Sequence, residues 1–466
     1  MVYGDNHNTT VYHREARVAE NTDVLVIGAG TAGNAAARAL ARAGRRVIVA
    51  EPDRVGGTCL WRGCMPKKAL YHAAAVVRGS ARAEQFGISA GAARIDWPAV
   101  LAWKWHAQET YAGDQDGILA SLGIERIRAS ARFVSPDEVV VGDRTVRAEH
   151  VVVSTGAVPV TLDVPGSHLA ETSDAALRYP TLPASLCIIG GGYIALEFAG
   201  IYASFGTKVT VLSRGQELLA PFDRDCVALA RTALESLGVM FVTSAAVESL
   251  AGAPGDITIS YDVGGTRASL KAERVLSAIG RRPAYDGLDL DVAGVALDAR
   301  GNAILDHSLR TTNPRVYVAG DAAAREQHTP IANIHGRAIA QSILSGQPLA
   351  PDVAGTPFTC FTVPELAQTG LTLEAAERDG IDAEVHSATF EYLGAAIISD
   401  VRHGLVKIIA EKDTGIVVGA HVAGERASDL IYPLALAVRT RRTLGEVRAT
   451  AGVHPAFSES VNWAAF

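Results

Sequence analysis

One supersecondary pattern occurs twice in this chain of 466 residues. Residues 23–51 run from an apolar segment through the glycine turn GAGTAG and an alanine-rich stretch to a second apolar segment, and residues 185–214 repeat that order around GGGYIALE. Gly28 to Glu51 and Gly190 to Ser213 both span 23 residues. A strand, a glycine turn, a helix and a parallel strand form the repeating unit of doubly wound α/β sheets that bind dinucleotides. The repeat therefore predicts two nucleotide sites.

The first turn has the residue types that a dinucleotide site needs. Gly28 permits the tight turn, Gly30 lets the backbone approach a pyrophosphate, and Gly33 lets the helix pack closely on the strand. The helix that follows offers free N–H groups and a positive dipole end to the phosphates. Glu51 ends the second apolar segment, where a carboxylate can accept both ribose hydroxyls. The pattern predicts a nucleotide site rather than a purely structural turn.

The second turn differs from the first at the position expected to contact the ribose. Ser213 takes the place of Glu51 and is followed by Arg214. A carboxylate there would repel a 2′-phosphate, whereas Ser and Arg can bind one. We therefore expect NADPH to be preferred over NADH; the alternative is that Arg214 only lies on the surface.

Two cysteines follow the first nucleotide unit, in the segment GGTCLWRGCMPKK. In a regular helix the five-residue step from Cys59 to Cys64 corresponds to a rise of about 7.5 Å. A disulfide tolerates Cα separations of only about 4.4–6.8 Å, so a bridge would need a distorted loop, for which Gly63 is suited. Such a strained bridge is easily reduced, which favours a redox-active pair. The alternatives are an inert buried pair and a zinc site, which would need two further ligands nearby.

Composition limits the cellular context and the partners. The five cysteines are too few, and odd in number, for a secreted disulfide framework. Residues 1–23 are polar, lack the apolar core of a signal peptide and are expected to form a flexible tail. The net charge of −7 argues against a nucleic-acid partner, and no apolar run approaches the ~20 residues that cross a membrane. We expect a cytoplasmic protein with no nucleic-acid or membrane partner.

The whole set of motifs resembles one family, the flavin-dependent pyridine nucleotide–disulfide oxidoreductases, which includes glutathione reductase, dihydrolipoamide dehydrogenase, trypanothione reductase and mercuric reductase. The resemblance runs from about residue 22 to the C-terminus, through GAGTAG, GGTCLWRGCMPKK, STGAVP, GGGYIALE, SAIGRRP, VYVAGDAA and HPAFSE. It implies an α/β fold with two doubly wound dinucleotide-binding domains, the NADPH domain inserted in the FAD domain, and a C-terminal α+β dimerisation domain. The expected segments are 1–155 and 279–347 for the FAD domain, 156–278 for the NAD(P)H domain and 348–466 for the dimer interface.

The resemblance also implies which residues hold the two cofactors. Asp321 would bind a ribityl hydroxyl of FAD. The whole FAD set would be Gly28, Gly30, Gly33, Glu51, Thr58, Lys68, Ala131, Thr155, Gly156, Asp321 and Thr329. The NADPH set would be Gly190, Gly192, Glu197, Ser213, Arg214, Gly280 and Arg281. No metal site is expected.

The resemblance assigns roles to the side chains around the flavin. Cys64 would be the thiol nearest the flavin, and Cys59 would attack the substrate disulfide. Lys67 and Glu197 match the family's charge pair beside the reactive flavin face. Tyr193 matches an aromatic gate that moves when the nicotinamide enters.

A base is needed because the attacking species must be a thiolate. His454 and Glu459, in HPAFSE, match a histidine and its orienting carboxylate that serve the active site of the other subunit. A histidine with a pKa near 6.5 can exchange protons at neutral pH. The resemblance therefore implies a homodimer whose active sites are shared between subunits.

The motifs narrow the substrate to a small disulfide. Lys67 and Lys68 resemble glutathione and trypanothione reductases, and Arg38 and Arg337 fall where glutathione reductases direct arginines toward a glutathione carboxylate. Three departures stand against glutathione itself: Gln115 in place of a stacking tyrosine, Trp61-Arg62 in the cysteine loop, and Val363-Pro364-Glu365 in place of His-Pro-Glu. We expect an NADPH-dependent reductase of a glutathione-like or other low-molecular-weight disulfide. The alternatives are a dihydrolipoamide dehydrogenase, a metal-ion reductase and a flavoprotein redox sensor.

Overall fold

A computed structural model describes residues 19–89, 91 and 93–466. Residues 1–18 of the flexible tail expected at the N-terminus lie outside the described residues, whereas residues 20–23 belong to the first strand, so this part of the expectation was wrong. The strands are β1 (Glu20–Ile27), β2 (Val47–Ala50), β3 (Glu125–Ile127), β4 (Ala131–Phe133), β5 (Glu138–Val141), β6 (Arg144–Val153), β7 (Ala157–Pro159), β8 (Ser185–Ile189), β9 (Lys208–Leu212), β10 (Met240–Val242), β11 (Ala245–Ala253), β12 (Asp256–Val263), β13 (Thr266–Ala272), β14 (Arg274–Ser277), β15 (Arg281–Pro283), β16 (Val316–Val318), β17 (Phe358–Cys360), β18 (Glu365–Gly370), β19 (Ala383–Thr389), β20 (Leu405–Glu411) and β21 (Val417–Gly424). The α-helices are α1 (Thr31–Arg42), α2 (Gly57–Trp61), α3 (Cys64–Ala81), α4 (Trp97–Ala112), α5 (Gln115–Ser121), α6 (Ser173–Ala176), α7 (Tyr193–Ser204), α8 (Arg224–Ser236), α9 (Thr329–Ser345), α10 (Leu373–Arg378), α11 (Gly394–Ser399), α12 (Ala427–Arg439), α13 (Leu444–Ala449) and α14 (Glu459–Ala464).

The first sheet combines a parallel layer with an antiparallel meander. Strands β3, β2, β1, β6 and β16 pair in parallel in that order. The long strand β6 belongs to both parts of this sheet, because its first residues also pair antiparallel with β5, which pairs with β4. Residues Val24–Ile27 of β1 are all buried, as expected for a central parallel strand covered on both faces.

Helix α9 returns to this first sheet and packs closely on α1. A side chain at Gly336 of α9 would clash with the backbone oxygen of Ala32 in α1, so the absence of a Cβ permits the close crossing. This contact places the N-terminus of α9 beside the glycine turn that precedes α1.

The second parallel sheet has the strand order β10, β9, β8, β14, and α7 follows its central strand β8. The antiparallel sheet β11–β12–β13 extends the same unit. Strands β7 and β15 pair antiparallel with each other, Ala157 opposite Pro283 and Pro159 opposite Arg281. This two-stranded ribbon carries the chain into and out of the second unit. The segment limits given above stay a prediction.

The C-terminal unit is an antiparallel sheet of order β17, β18, β21, β20, β19, with α12 packed on β18 and β21. Several large apolar side chains of this unit are exposed in the single chain, among them Tyr432, Leu436 and Phe466. Two doubly wound parallel sheets followed by an α+β unit confirm the predicted α/β fold class. Within the described residues, no helix is long and apolar enough to cross a membrane.

Candidate active site

One cavity of about 1020 Å³ brings most of the predicted site together. It is lined by every residue predicted for FAD except Gly33 and Lys68, and also by Arg281 of the predicted NADPH set. Four of the predicted catalytic side chains line it too: Cys59, Cys64, Lys67 and Tyr193. Its volume is at the upper end of the ~300–1,000 Å³ typical of ligand pockets, which suits a large ligand.

The first glycine turn is shaped by backbone contacts that exclude side chains. Gly28 has φ +97°, and a Cβ there would lie 2.5 Å from the backbone oxygen of Ser154. A Cβ on Gly33 would clash with the oxygen of Gly28, which explains why Gly33 packs inside the turn rather than lining the cavity. Gly30 begins α1 as its N-cap, and no side chain among the described residues caps this helix. Its first amides are therefore free to bind phosphate.

Three side chains fit the remaining parts of FAD. The carboxylate of Glu51 is fixed because it accepts hydrogen bonds from the amides of Ala29 at 2.8 Å and Asp53 at 2.9 Å. The buried hydroxyl of Thr155 has no hydrogen-bond partner within the described part of the chain, and this residue lines the cavity. Asp321 lines the cavity, and burial raises the pKa of its carboxyl group. The cavity therefore fits the cofactor that its residues predict.

The two cysteines lie on different helices, which resolves the spacing problem of a single helix. Cys59 is in α2 and Cys64 begins α3, with Gly63 in the break between them. A hydrogen bond shared with Cys59 lowers the pKa of the Cys64 thiol to about 6, and Thr329 and the charge of Lys67 act in the same direction against the effect of burial. The same shared hydrogen bond, together with burial, raises the pKa of Cys59. Cys64 is therefore the thiol that ionises first, and Cys59 keeps its proton.

Thr329 links the cysteines to the N-terminus of α9. Its Oγ1 atom lies 3.3 Å from Sγ of Cys64, and it is the first residue of that 17-residue helix. The N-terminal end of a helix carries a partial positive charge, which favours a thiolate close to it.

Lys67 and Glu197 form a buried ion pair between two units of the chain. Lys67 Nζ donates a hydrogen bond to Oε2 of Glu197, and Oε1 of Glu197 accepts one from the amide of Phe361 at 2.9 Å. Burial alone would lower the pKa of Lys67, but the charge and hydrogen bond of Glu197 raise it above its ordinary value. Lys67 therefore stays charged at the cavity wall, while Glu197 lies behind it and does not line the cavity.

The second glycine turn lies outside this cavity. Gly190 has φ +136°, and a Cβ there would clash with the backbone oxygen of Ala278. Ser213 is buried, and its hydroxyl donates a hydrogen bond to the oxygen of Gly215 at 3.1 Å, whereas Arg214 is exposed. Like Ser213 and Arg214, the predicted residues Gly190, Gly192 and Gly280 do not line the cavity. Arg281 lines the cavity, as do Tyr193, Ile194 and Phe198 of the helix that follows the second turn.

His454 and Glu459 are hydrogen-bonded to each other but lie apart from the cavity of their own chain. Nδ1 of His454 is 2.9 Å from Oε1 of Glu459, and Oε2 of Glu459 accepts a hydrogen bond from the amide of Ala456 at 3.0 Å. The His454 side chain is 78% exposed in the single chain. The hydrogen bond from His454 lowers the pKa of Glu459. The pair is thus built as a histidine with an orienting carboxylate, presented outward.

Comparisons with known proteins decide the family. Residues 22–336 match the model described as pyridine nucleotide-disulphide oxidoreductase, and residues 356–465 match the dimerisation domain of the same family. The chain belongs to the pyridine nucleotide-disulphide oxidoreductases. Members of this family use FAD and a nicotinamide nucleotide, and the protein is an oxidoreductase acting on a sulfur group. Its dimerisation domain indicates a homodimer.

Similar members of the oxidoreductase family carry different names. The chain is 34% identical to a glutathione reductase of Burkholderia cepacia, covering 94% of this chain and 97% of that one. It is 32% identical to a dihydrolipoyl dehydrogenase of Geobacillus stearothermophilus, covering 94% of each. Among solved structures, the HOCl-induced flavoprotein disulfide reductase RclA of Escherichia coli has a TM-score of 0.85 and 28% identity, covering 94% of this chain and 98% of that one. A Cu(II) complex of RclA has a TM-score of 0.85 and 27% identity, covering 96% and 99%.

The residues expected to bear on the substrate of this oxidoreductase lie partly at the cavity's edge and partly away from it. Lys68 does not line the cavity, because it pairs with Glu365 at 3.1 Å and lies 3.5 Å from the centre of the Phe361 ring. Arg38 donates a hydrogen bond to Oε1 of Gln115 at 2.6 Å, so these two predicted positions do lie together. Arg337 is exposed and does not line the cavity.

The cysteine loop of the oxidoreductase is held by its two unusual residues. The indole N–H of Trp61 donates a hydrogen bond to the oxygen of Val55 at 2.8 Å, and Arg62 forms an ion pair with Asp53 at 2.6 Å.

Among the described residues, no group of three or more His, Cys, Asp or Glu side chains is placed to hold a metal ion.

Among the cavity residues that the sequence did not predict, His328 and Phe358 lie next to the predicted Tyr193. The two residues come from segments 30 residues apart. Neither belongs to a glycine, cysteine or histidine motif, so only the folded chain shows their proximity.

Proposed function

We propose that this flavoprotein is an NADPH-dependent reductase of a small disulfide, glutathione-like or of another low-molecular-weight thiol. The observation that carries the proposal is the geometry of one cavity wall, which Cys59, Cys64 and Lys67 line together and where Sγ of Cys64 lies 3.3 Å from Oγ1 of Thr329 at the start of α9. The pKa of Cys64 is lowered to about 6 while that of Cys59 is raised. A pair of this kind has one thiolate and one protonated thiol at neutral pH, which is the state needed before a base activates the second thiol.

FAD, when bound, would carry two electrons from the nicotinamide to the cysteine pair. The charge of Lys67 and the N-terminus of α9 both stabilise negative charge at Cys64. Cys59, once deprotonated, attacks one sulfur of the substrate disulfide, forms a mixed disulfide and releases the first thiolate. The Cys64 thiolate then attacks the sulfur of Cys59, which releases the second thiolate and leaves Cys59 and Cys64 joined. Each disulfide reduced thus uses two electrons and two protons.

The base in this proposal is His454 of the partner subunit, oriented by Glu459. Support comes from the exposure of His454 and from its position outside the cavity of its own chain. His454→Ala should lower disulfide turnover by about 10²–10⁴-fold, while reduction of the flavin by NADPH continues. An equal loss of both steps would contradict the assignment.

The preference for NADPH depends on Arg214. The hydroxyl of Ser213 is already bonded to Gly215, so the exposed Arg214 is the group left to meet a 2′-phosphate. We expect kcat/KM to be higher for NADPH than for NADH, and Arg214→Gln should reduce this ratio about tenfold or more. A wild-type preference for NADH would reject this part of the proposal.

A dihydrolipoyl dehydrogenase is the second candidate, because similar relatives carry that name. Anaerobic titration with NADPH, followed by turnover against glutathione disulfide, other small disulfides and lipoamide, separates the candidates. A long-wavelength absorbance band after two electrons and rapid turnover of a small disulfide are expected. Preference for lipoamide with NAD would favour the second candidate, reduction of Cu(II) alone would favour a metal-ion reductase, and no turnover would favour a redox sensor.

The small number of cysteines supports a cytoplasmic location for the protein.

A further inference from the structure

Three aromatic rings from three separate segments meet inside the cavity. The His328 ring stacks on Phe358 with centroids 3.8 Å apart and planes at 27°. Tyr193 meets both rings edge-on, with its centroid 5.4 Å from Phe358 and 6.2 Å from His328. Phe358 is supported from behind by the buried ring of Phe222 at 5.2 Å. His328 and Phe358 thus form a fixed surface against which Tyr193 rests.

Tyr193 lies between the second glycine turn and the cavity. It is the first residue of α7, directly after Gly192, so a dinucleotide bound by its phosphates at that turn has Tyr193 as its neighbour. The ring of Tyr193 lines the cavity that holds Cys64 and Lys67. We therefore expect a nicotinamide bound through the second turn to displace this ring when it reaches the cavity, as the family resemblance implies for Tyr193.

His328 behaves in this cluster as a neutral ring. Burial lowers its pKa to about 4, so it is uncharged at neutral pH. It is the N-cap residue of α9, but its side chain makes no capping hydrogen bond. Replacing it therefore removes ring contacts without removing a helix cap.

We propose that the stacked pair His328–Phe358, here called the stop, holds the ring of Tyr193 in the position that closes the cavity to the nicotinamide. The strength of this contact then sets the affinity for the nicotinamide half of the coenzyme. The proposal rests on the proposed function, in which a nicotinamide reduces the flavin. Each contact that holds Tyr193 against the pair must be broken when the nicotinamide enters, so a stronger stop weakens nicotinamide binding. His328 and Phe358 are positioning residues, because they act through Tyr193.

The test compares ligands with and without a nicotinamide on the FAD-loaded dimer. Calorimetric titration with NADP⁺ and with adenosine 2′,5′-bisphosphate gives two dissociation constants for each variant, and NAD⁺ with AMP provides a second pair. His328→Ala and Phe358→Leu should each tighten NADP⁺ or NAD⁺ binding by about two- to tenfold, the range expected for losing an aromatic pair. Binding of the ligands that lack a nicotinamide should not change. His328→Phe, which keeps a stacking ring, should behave as the wild type, as should the exposed control His307→Leu.

Coupling to Tyr193 is the decisive part. In a Tyr193→Ala background, His328→Ala should have no further effect on the dissociation constant, because the ring that the stop holds is gone. The inference is wrong if His328→Ala weakens NADP⁺ and NAD⁺, if it acts equally in the Tyr193→Ala background, or if His328→Phe matches His328→Ala. Wild-type protein that binds neither coenzyme overturns the proposed function and this inference together. Binding that no variant alters overturns the inference alone.

Discussion

Removing the hydrogen-bond donor of Cys59 should raise the pKa of Cys64. The shared hydrogen bond is the largest influence that lowers the Cys64 pKa to about 6. A hydrogen bond to a charged group contributes about 1.5–3 kcal/mol, and 1.36 kcal/mol corresponds to one pH unit. Cys59→Ala should therefore move the ionisation of Cys64 upward by about one to two pH units. Cys59→Ser keeps an O–H donor and should leave the ionisation close to that of the wild type.

The assay is the rate of alkylation of reduced protein by iodoacetamide between pH 5 and pH 9, with the modified peptide identified by mass spectrometry. Only Cys64 should react at the acid end of this range. Burial raises the pKa of Cys187 to about 12 and raises those of Cys226 and Cys360 well above the ordinary value, so these thiols stay silent. An unchanged midpoint in Cys59→Ala, or a shift of equal size in Cys59→Ser, would refute the reasoning.

Three further outcomes are expected. Lys67→Met leaves the carboxylate of Glu197 buried without its cation, which should cost about 3–5 kcal/mol and lower the melting temperature, whereas Lys67→Arg should recover much of it. Gly33→Ala should lower the yield of folded apoprotein because its Cβ meets the oxygen of Gly28, whereas Gly30→Ala, whose Cβ has room, should fold and weaken only FAD binding in a fluorescence titration. Burial lowers the pKa of Lys104 to about 8, so the unfolded chain binds the extra proton, and the contribution of Lys104 to stability should rise with pH between about 8 and 10.5; the melting temperature of the wild type should therefore improve relative to that of Lys104→Met across that range.

Much of the candidate site could be predicted from short sequence motifs and from the family resemblance that they carry. The glycine turns follow from short sequence patterns. The ion pair of Lys67 with Glu197, 130 residues apart, is expected only from the family resemblance, and the fold places the two side chains in contact. His454 and Glu459 are close in sequence, but their pairing is expected from the family resemblance rather than from the spacing alone.

Contacts between distant segments that no family motif contains could not be predicted. Lys68 faces Glu365 of β18 rather than the cavity, because the C-terminal unit supplies a buried carboxylate that the lysine can neutralise. His328 and Phe358 acquire their significance only where α9 and β17 converge on Tyr193. Helix periodicity and residue type hold no information about which rings meet across three segments.

The ribbon of β7 and β15 brings the entrance and the exit of the second nucleotide unit to one place. Pro159 and Arg281 are paired neighbours although 122 positions separate them along the chain. A gene segment that encodes everything between those points could be exchanged for that of a relative without stretching the backbone, because both splice points lie side by side. Under the proposed function, in which the second unit binds the coenzyme, coenzyme choice can therefore be altered by exchanging this whole unit as well as by single substitutions.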